Sequence, residues 1–448
     1  MSDLPNGWAW AALDELRADI TNALAIGPFG SNLKVADYRG SGVPLIFVRH
    51  IRARDFEGLD PKFIDNEKAE QLSAHVVRPG DVVVTKMGDP PGDATVFRGR
   101  STAVLTADCI KVTPHEAIRA DYLAYLIEAP QFRSAMRAIT QGVAQKKVSL
   151  GRFRTLQFPV APAEEQDRIV AAIDEHLSRL DAADGALRSA MARLQLLESR
   201  AVDAAFASLG HRVPTGEVAE VRGGIQKQPK RRPKKNRAPF LRVANVGHGQ
   251  LALDEVHEVE LFEGELERYR LRPGDLLVVE GNGSPAQIGR SAVWRGKIPD
   301  CVHQNHLIRV RPGPSLDPEF LGLYWNAPST RQQLTSVASS TSGLYTLSTS
   351  KVRQVEVPVA PLPEQRSTVA RLATQLAQFA RLRAELRAAV TRNAALRRSI
   401  LAAAYSGRLV TQDLADEPAS VLLDRIQAER AAAAPPKRTK RTRKAKAL

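Results

Sequence analysis

Positively charged side chains are concentrated in two short stretches of the chain, where they could bind a polyanion. The 448 residues carry a formal net charge of +15. One stretch has seven bases and no acid, namely Lys227, Lys230, Arg231, Arg232, Lys234, Lys235 and Arg237. The other has seven bases between positions 437 and 446. Such clusters are typical of proteins that bind nucleic acid. We expect the first to contact phosphates, whereas the second is equally consistent with a solvated segment that has no partner.

Motifs that could bind a methyl donor, a metal or a nucleotide are incomplete. Asp89-Pro90-Pro91-Gly92 has glycine where the Asp-Pro-Pro loop of amino-methyltransferases has an aromatic residue that stacks a flipped base. Cys301, His303 and His306 lack a fourth ligand at a usual zinc spacing, and a strand with polar outward residues explains them better. No Gly-x-x-x-x-Gly-Lys-Ser/Thr sequence is present, and no nucleophile is paired with a base. We therefore expect a non-catalytic chain that binds no metal or cofactor.

The bulk composition indicates a globular protein of the cytoplasm. A chain of this length allows two to four domains, and a hydrophobic content of 43% is sufficient for real cores. Two cysteines, Cys109 and Cys301, exclude a disulfide framework. The first residues do not form a secretory signal, and no apolar run is long enough to span a membrane. We expect a cytoplasmic location.

Two stretches 199 residues apart repeat each other. Phe158-Pro159-Val160-Ala161-Pro162 is followed by Glu165-Gln166, and Val357-Pro358-Val359-Ala360-Pro361 is followed by Glu364-Gln365. This period is far longer than the ~20–50 residues of a solenoid unit. We therefore predict a duplicated module, each copy consisting of a globular part followed by a long helix.

Each repeated stretch continues as a run of strong helix formers. Residues 164–209 contain one glycine and no proline, and residues 364–405 contain neither. Apolar residues recur in alternating steps of three and four, which is typical of a coiled coil. At ~1.5 Å per residue, each run predicts a rod of about 60 Å. The predicted contact residues are Ile173, Leu177, Leu180, Leu187, Met191 and Leu194 in the first helix and Leu372, Leu376, Phe379, Leu386 and Val390 in the second.

Charged residues interrupt both stripes with opposite signs. Asp184 and Glu198 lie in the first stripe, and Arg383 and Arg397 lie in the second. The net charge is −4 over residues 164–209 and +6 over residues 364–405. We therefore expect the two helices to pack antiparallel within one chain, with Asp184 beside Arg397 and Glu198 beside Arg383. The alternative is two unrelated amphipathic helices, each lying on its own domain.

Shorter echoes predict that the two globular parts share a fold of short strands and a few helices. Arg78-Pro79-Gly80-Asp81 corresponds to Arg272-Pro273-Gly274-Asp275, and each turn feeds an apolar strand. Pro44–Ile51 and Pro239–Val246 also correspond and are predicted to be strands. Residues between these landmarks differ, which suits two readers of different sequences. Arg49, His50, Arg242 and Asn245 are then as consistent with surface strand residues as with ligand contacts.

Loops are the candidates for direct contact with nucleic acid. Gln141, Gln145, Lys146 and Lys147 lie in a segment that corresponds to the one containing Ser340, Thr341, Ser342 and Tyr345. Both segments offer hydrogen-bonding side chains and a glycine for close approach to base edges or phosphates. Lys34 lies in a glycine-rich loop, and we expect it to contact the backbone together with the run at 227–237.

These features together resemble the specificity subunit of a type I restriction–modification system. The resemblance rests on Gly27-Pro28-Phe29-Gly30-Ser31, the two Arg-Pro-Gly-Asp turns and both Glu-Gln helix entries. The segment 400–410 and Asp416-Glu417-Pro418-Ala419 complete it. It covers residues 4 to about 430, and the basic residues after Ala431 depart from the family pattern.

The resemblance implies an α+β fold with two similar target recognition domains and two long, antiparallel packed helices between them. The expected division is 1–157 and 211–356 for the recognition domains, 158–210 and 357–430 for the helical regions, and 431–448 for a basic disordered tail. Implied partners are double-stranded DNA, two modification (methyltransferase) subunits and restriction (motor-nuclease) subunits. S-adenosylmethionine, ATP and magnesium would be bound by those partners. The site would be two unlike half-sites around an unread spacer.

Three alternatives remain open on the sequence alone. The chain could serve a methylation-only or related two-part system without a motor-nuclease. It could be an enzyme with its own transferase or nuclease site, although the motifs for one are missing. It could also be a coiled-coil scaffold with basic segments, which would bind DNA without sequence preference.

Overall fold

The structure, a computed structural model, describes residues 4–88, 91–141, 147–282, 284, 287–341 and 344–433. For residues 282, 339–341 and 344 it describes the backbone alone. Gln145, Lys146 and Ser342 and the basic run at 437–446 lie outside the described residues. The contacts divide the chain into unit 1, residues 4–185 with 390–433, and unit 2, residues 186–389. No helix in the described part of the chain has the length and apolar character needed to cross a lipid bilayer.

Unit 1 is built from short strands and helices. Its strands are β1 (Ala9–Ala12), β2 (Leu24–Ile26), β3 (Val43–Ile46), β4 (Phe63–Ile64), β5 (Val76–Val77), β6 (Val82–Thr85), β7 (Ala94–Val96), β8 (Ala103–Leu105), β9 (Cys109–Val112) and β10 (Gln157–Val160). Its helices are α1 (Leu13–Leu16), α2 (Val48–Ala53), α3 (Asn66–Gln71), α4 (Ala120–Glu128), α5 (Pro130–Ala138) and α6 (Leu150–Phe153). The long helix α7 (Ala163–Ala207) follows.

Unit 2 repeats this plan. Its strands are β11 (Arg212–Pro214), β12 (Ala219–Gly223), β13 (Arg237–Leu241), β14 (His257–Glu260), β15 (Leu276–Val279), β16 (Gly281–Asn282), β17 (Ser291–Val293), β18 (Val302–His303), β19 (Leu307–Pro312), β20 (Ser339–Thr341), β21 (Leu344–Thr346) and β22 (Glu356–Pro358). Its helices are α8 (Thr215–Val218), α9 (Glu265–Tyr269), α10 (Pro318–Trp325), α11 (Pro328–Val337) and α12 (Thr349–Gln354). They are followed by the long α13 (Leu362–Ala404) and, in unit 1, by α14 (Ala419–Ala433).

Two sheets and one strand pair correspond between the two units, although β5 extends the second sheet in unit 1 and unit 2 has an additional sheet, β16-β21-β20. An antiparallel sheet has the order β2-β9-β6-β7 in unit 1 and β12-β19-β15-β17 in unit 2. A second sheet contains a parallel pair in each unit, β3 with β8 and β13 with β18, and β4 or β14 is added at its edge. The pairs β1-β10 and β11-β22 bring the first and last strands of each globular part together. The prediction of an α+β fold with two similar globular parts is confirmed.

The repeated Arg-Pro-Gly-Asp sequence forms the turn before the central strand. Gly80 and Gly274 have φ angles of +96° and +95°, a backbone conformation that favours glycine. The carboxylates of Asp81 and Asp275 accept hydrogen bonds from the backbone N–H of the arginine three residues earlier, at 2.8 and 2.7 Å. The motif is therefore a requirement of the turn and explains why it recurs in both units.

The predicted strands at 44–51 and 239–246 are only half correct. The strands are β3 and β13, and the chain then turns into helix α2 in unit 1 and a 3-10 turn, Val243–Asn245, in unit 2. His50 Nδ1 accepts from the backbone N–H of Phe47 at 3.2 Å, and Asn245 Oδ1 accepts from that of Arg242 at 2.9 Å. Both side chains are buried, so they hold the turn and are not ligand contacts.

A buried glutamine fixes the start of each long helix. Gln166 accepts a hydrogen bond from the backbone N–H of Arg119 at 3.0 Å and donates to the carbonyl of Ala161 at 2.9 Å. Gln365 accepts from the N–H of Asp317 at 2.8 Å and donates to the carbonyls of Ser315 and Ala360 at 2.9 and 2.7 Å. Each side chain thereby ties the helix entry to the segment before α4 or α10.

Aromatic residues fix the other end of each helix. The ring of Phe206 lies 5.3 Å from that of Phe320 and 5.2 Å from that of Tyr324 in unit 2. In unit 1 the Tyr405 hydroxyl donates to the Tyr122 carbonyl at 2.7 Å, and the two rings are 5.2 Å apart. Helix α7 thus starts against unit 1 and ends against unit 2, and α13 does the reverse.

Segments of α7 and α13 pack antiparallel in each unit. In unit 1, Arg397 lies 2.6 Å from Asp181 and 3.7 Å from Asp184. In unit 2, Arg383 forms an ion pair with Glu198. Both predicted ion pairs and the predicted packing are confirmed. Of the predicted contact residues, the buried ones are Ile173, Leu177, Leu194 and Leu372, and the half-buried ones are Leu180, Leu187, Met191, Leu376, Phe379 and Leu386.

One predicted contact residue is placed incorrectly. Val390 is 39% exposed, so it is not a central residue of the packed stripe. Asn393, three residues later, is only 5% exposed. Its amide donates hydrogen bonds to the carbonyl of Leu180 at 2.9 Å and to Asp184 at 2.5 Å. A single buried polar side chain of this kind fixes the register of a helix pair, because any other register leaves it unpaired.

We expect the packing of Glu198 beside Arg383 to depend on their opposite charges. Glu198→Arg and Arg383→Glu should each lower the free energy of unfolding by about 1 kcal/mol, because each sets like charges together. The double exchange should restore most of that loss in chemical unfolding of the full chain. Arg381→Glu, at an exposed position of the same helix, is the control and should not compensate for Glu198→Arg. Losses that simply add would contradict the predicted coupling.

We expect Gln365 to contribute far more to stability than its neighbour. Gln365→Ala leaves a backbone N–H and two carbonyls without their hydrogen bonds and should cost about 2 kcal/mol. Glu364→Ala, at the exposed adjacent position, should change the free energy of unfolding by less than about 0.5 kcal/mol. Equal effects of the two substitutions in thermal unfolding would show that Gln365 is not a structural anchor.

Candidate nucleic-acid interface

Two loops leave the main sheets at equivalent positions in the two units. The 27–42 loop connects β2 to β3, and the 224–236 loop connects β12 to β13. Each begins with a glycine that approaches a neighbouring turn closely, since a Cβ at Gly27 would overlap the Thr106 carbonyl and one at Gly224 would overlap the His303 carbonyl. The repeats in the sequence did not predict that these two loops are equivalent, although the glycine at the start of each loop is a signal of it. The loops have unlike chemistry on one framework.

The 224–236 loop and the first residue of β13 present six exposed bases. These are Lys227, Lys230, Arg232, Lys234, Lys235 and Arg237. Arg237 also lies 3.5 Å from Glu258, and both of these side chains are solvent-exposed. Exposed lysine and arginine side chains without an acidic residue in the same segment suit contact with nucleic-acid phosphates.

Arg231, the seventh base of the run, has a different environment. Its guanidinium is half-buried and contacts both carboxylate oxygens of Glu265 at 2.7 and 2.8 Å. It also lies 4.4 Å from the centre of the Phe262 ring. The hydrogen bond to Glu265 raises the pKa of Arg231, and Arg231 lowers the pKa of the Glu265 carboxyl. The structure does not support the expected phosphate contact for Arg231, which instead holds the loop.

A second carboxylate holds the loop through its backbone. Glu260, at the end of β14, is 9% exposed and accepts hydrogen bonds from the N–H groups of Lys234 and Asn236 at 2.5 and 3.0 Å. The N–H of Asn236 is the main cause of a lowered pKa of the Glu260 carboxyl. Glu260 and Glu265 are separate from the basic run in sequence, so charge clustering alone did not identify them.

The equivalent loop of unit 1 is far less cationic. Lys34 is exposed as predicted, but Arg39 lies 3.1 Å from Asp65. The loop also exposes two large apolar side chains, Phe29 at 69% and Val35 at 79%. The loop is closed by a hydrogen bond from the N–H of Lys34 to Asp37 at 2.7 Å.

Backbone segments pair antiparallel after α5 in unit 1 and after α11 in unit 2. In unit 1, Gln141 and Lys147 exchange two backbone hydrogen bonds of 3.0 Å, and Lys147 also forms a bridge to Met87. In unit 2, β20 pairs with β21, and β21 pairs with β16. Each unit thus has paired backbone at the ends of the segment that the sequence aligned, and the correspondence of the residues between them stays a prediction. For Ser340 and Thr341 the structure describes the backbone in β20, and Tyr345 is half-buried in β21.

The three residues considered as metal ligands, Cys301, His303 and His306, lie in different environments. Burial raises the pKa of the Cys301 thiol to about 12 and lowers the pKa of His303 to about 3, so both groups stay neutral. His306 is exposed, and its Nδ1 lies 3.1 Å from Glu280. In the described residues, no group of three or more potential ligands converges on one point.

Comparison with known proteins supports the resemblance found in the sequence. Residues 75–184 match the type I restriction modification DNA specificity domain. The specificity subunit of the type I restriction enzyme EcoKI from Escherichia coli K12 is 24% identical, over 96% of this chain and 97% of its own. That of StySPI from Salmonella potsdam is 23% identical over 96% of both chains. The chain is thus similar to specificity subunits of type I restriction enzymes over nearly its whole length.

Solved structures show the same fold. A chain from a structure of type I restriction–modification complex assembly aligns with a TM-score of 0.69 and 20% identity, over 91% of this chain and all of its own. The HsdS subunit from Thermoanaerobacter tengcongensis aligns with a TM-score of 0.56 and 19% identity, over 91% and 98% of the two chains. These alignments confirm the fold that the sequence resemblance implied.

We expect Arg231 and Arg232 to differ in role. Arg231→Ala removes a bidentate ion pair and should lower the free energy of unfolding by about 2 kcal/mol. Arg232→Ala should leave stability unchanged but reduce the slope of log affinity for duplex DNA against log salt by ~0.9, the value for one lost phosphate contact. Thermal unfolding and a salt titration of DNA binding measure the two effects. The reverse assignment would follow if Arg232→Ala destabilised the chain and Arg231→Ala did not.

Proposed function

We propose that this specificity subunit reads a bipartite, asymmetric DNA site, one half with each unit, and carries the modification and restriction subunits of its complex. The observation that carries the proposal is the pair of units with corresponding main sheets and unlike loops. The common framework provides two similar reading surfaces, and the differing 27–42 and 224–236 loops give them different contacts. Two identical readers would instead suit a palindrome.

The described side chains support phosphate contact at both surfaces. Unit 2 presents six exposed bases, and unit 1 presents Lys34 and Lys147. The paired segments after α5 and α11 offer Gln141 and Tyr345 as groups able to contact base edges. Phosphate contacts position a protein on the duplex, whereas base contacts select the sequence.

The long helices support the assembly role. Large apolar side chains are exposed along them, Leu196, Leu197 and Leu382 in unit 2 and Val390 and Leu396 in unit 1. Exposed apolar residues on paired helices are suited to docking of partner helices. In this proposal the modification subunits bind S-adenosylmethionine, the restriction subunits bind ATP and magnesium, and this chain binds none of them. The complex would act in the cytoplasm.

The proposal predicts a defined change in host DNA modification. Mapping of methylated bases in host DNA, with and without this gene, should reveal one gene-dependent site made of two unlike half-sites separated by an unread spacer. Gln141→Ala should relax recognition in one half-site and Tyr345→Ala in the other, each by ~1–3 kcal/mol at one position.

Deletion of the modification subunit gene is the control and should abolish the same methylation. A palindromic site, or a change in both half-sites from either single substitution, would contradict the assignment of one half-site to each unit. Methylation by the purified specificity subunit alone would contradict the non-catalytic role.

A further inference from the structure

The 224–236 loop concentrates positive charge to a degree that should disorder it. Seven bases lie within residues 227–237, and like charges at this density repel one another over about 10 Å at moderate salt. The loop is nevertheless ordered: a 3-10 turn spans Pro229–Arg231, and the N–H of Leu261 donates to the carbonyl of Asn236 at 2.8 Å. Something within unit 2 must hold the chain against this repulsion.

Two carboxylates supply the restraint from the inner side of the loop. Glu260 binds the backbone N–H groups of Lys234 and Asn236, which lie on either side of Lys235. Glu265 binds the guanidinium of Arg231, and Arg231 in turn donates to the Glu260 carbonyl at 3.3 Å. The carboxylates thus take up one base and two backbone donors, and they leave six basic side chains exposed.

We propose that Glu260 and Glu265 are positioning residues that hold the 224–236 loop in a shape able to grip the phosphates of duplex DNA, and that this grip makes unit 2 the electrostatic anchor of the subunit. The proposal rests on the proposed function, because it takes DNA as the polyanion. It assigns an acidic residue a favourable role in binding an anion, which is the opposite of what its charge alone predicts.

Two effects of Glu260 on DNA oppose each other. Its negative charge repels phosphates, but its oxygens accept hydrogen bonds from N–H groups, whose dipoles weaken that repulsion. Its hydrogen bonds spare the loop the entropy cost of ordering on binding. Because an organised loop presents several cations at once, the loss of order affects several phosphate contacts, and the organising effect should exceed the repulsion.

A cleft beside the loop gives a phosphate backbone access to it. The cleft has a volume of about 540 Å³. Lys227, Arg232 and the Glu265-bound Arg231 line its loop side, and Arg242, His257 and Glu258 line the other. Lys227, Arg232 and Arg242 are the bases that are available to a phosphate in this space, and Glu258 is the acid that lines it.

Unit 1 has no matching arrangement among its described residues. The 27–42 loop has two bases, and Arg39 is paired with Asp65. Asp65 itself caps α3, where it accepts from the N–H of Lys68 at 2.9 Å. The loop exposes Phe29 and Val35 instead. The salt-dependent part of binding should therefore come mainly from unit 2.

The experiment compares two glutamates of one strand in the full chain. Glu260→Ala removes the buried carboxylate, whereas Glu258→Ala removes the same charge from an exposed position of β14. Binding to a duplex of about 30 base pairs with random sequence is measured by fluorescence anisotropy between ~50 and ~200 mM salt. We expect Glu260→Ala to weaken binding about tenfold and to reduce the salt slope by at least ~1. Glu258→Ala should bind as tightly as the unmodified chain or more tightly.

The outcomes separate this proposal from the proposed function. If Glu260→Ala binds as tightly as Glu258→Ala with an unchanged salt slope, the positioning role is wrong. If the unmodified chain itself binds duplex DNA weakly and without salt dependence, DNA is not the polyanion and the proposed function fails as well. Should Glu260→Ala unfold the chain, Glu260→Gln, which keeps one acceptor oxygen, serves in its place. It should then show a smaller loss of affinity than about tenfold, and no loss would overturn the positioning role.

Discussion

The buried hydrogen bonds of Gln166 and Gln365 are the interactions on which the rest of the architecture depends. Each glutamine side chain forms hydrogen bonds with backbone groups that are buried away from water. Without this side chain, those buried donors and acceptors would be left unpaired. Because the side chain belongs to the first turn of a long helix, satisfying these groups also sets the direction in which the helix leaves its unit. The glutamine of the Glu-Gln repeat in the sequence therefore reflects a structural requirement.

A framework fixed in this way allows the loops to change. The two units share the Arg-Pro-Gly-Asp turn, the two main sheets and a glycine at the start of the loop, Gly27 or Gly224. What differs between the units is the chemistry carried on top: cations in one loop, apolar side chains in the other. In a duplicated chain the framework residues must be alike in both copies, whereas the loop residues are free to differ. A protein that discriminates two unlike half-sites can use this difference between its loops.

The sequence was informative where one residue type has one structural use. Alternating apolar residues in a long run without proline predict a helix whatever surrounds it, and opposite net charges correctly paired Asp184 with Arg397 and Glu198 with Arg383. It was less informative where the outcome depends on geometry. Val390 suits a packed stripe by hydropathy, yet Asn393 takes the interior position because its amide reaches the carbonyl of Leu180 and the carboxylate of Asp184. Periodicity alone does not rank a polar residue above an apolar one at neighbouring positions of a stripe.

The same limit applies to the candidate interface, for a different physical reason. A run of seven bases predicts a polyanion partner from charge alone, but charge does not say which side chain points outward. Arg231 and Arg232 are adjacent and chemically identical, and only the position of Glu265, more than thirty residues later, turns one inward. The acidic residues that shape a basic surface are thus invisible to a search for basic residues. In a loop whose cations repel one another, the energetically decisive group is one of opposite sign, and it is found by asking what satisfies the backbone N–H groups of the loop.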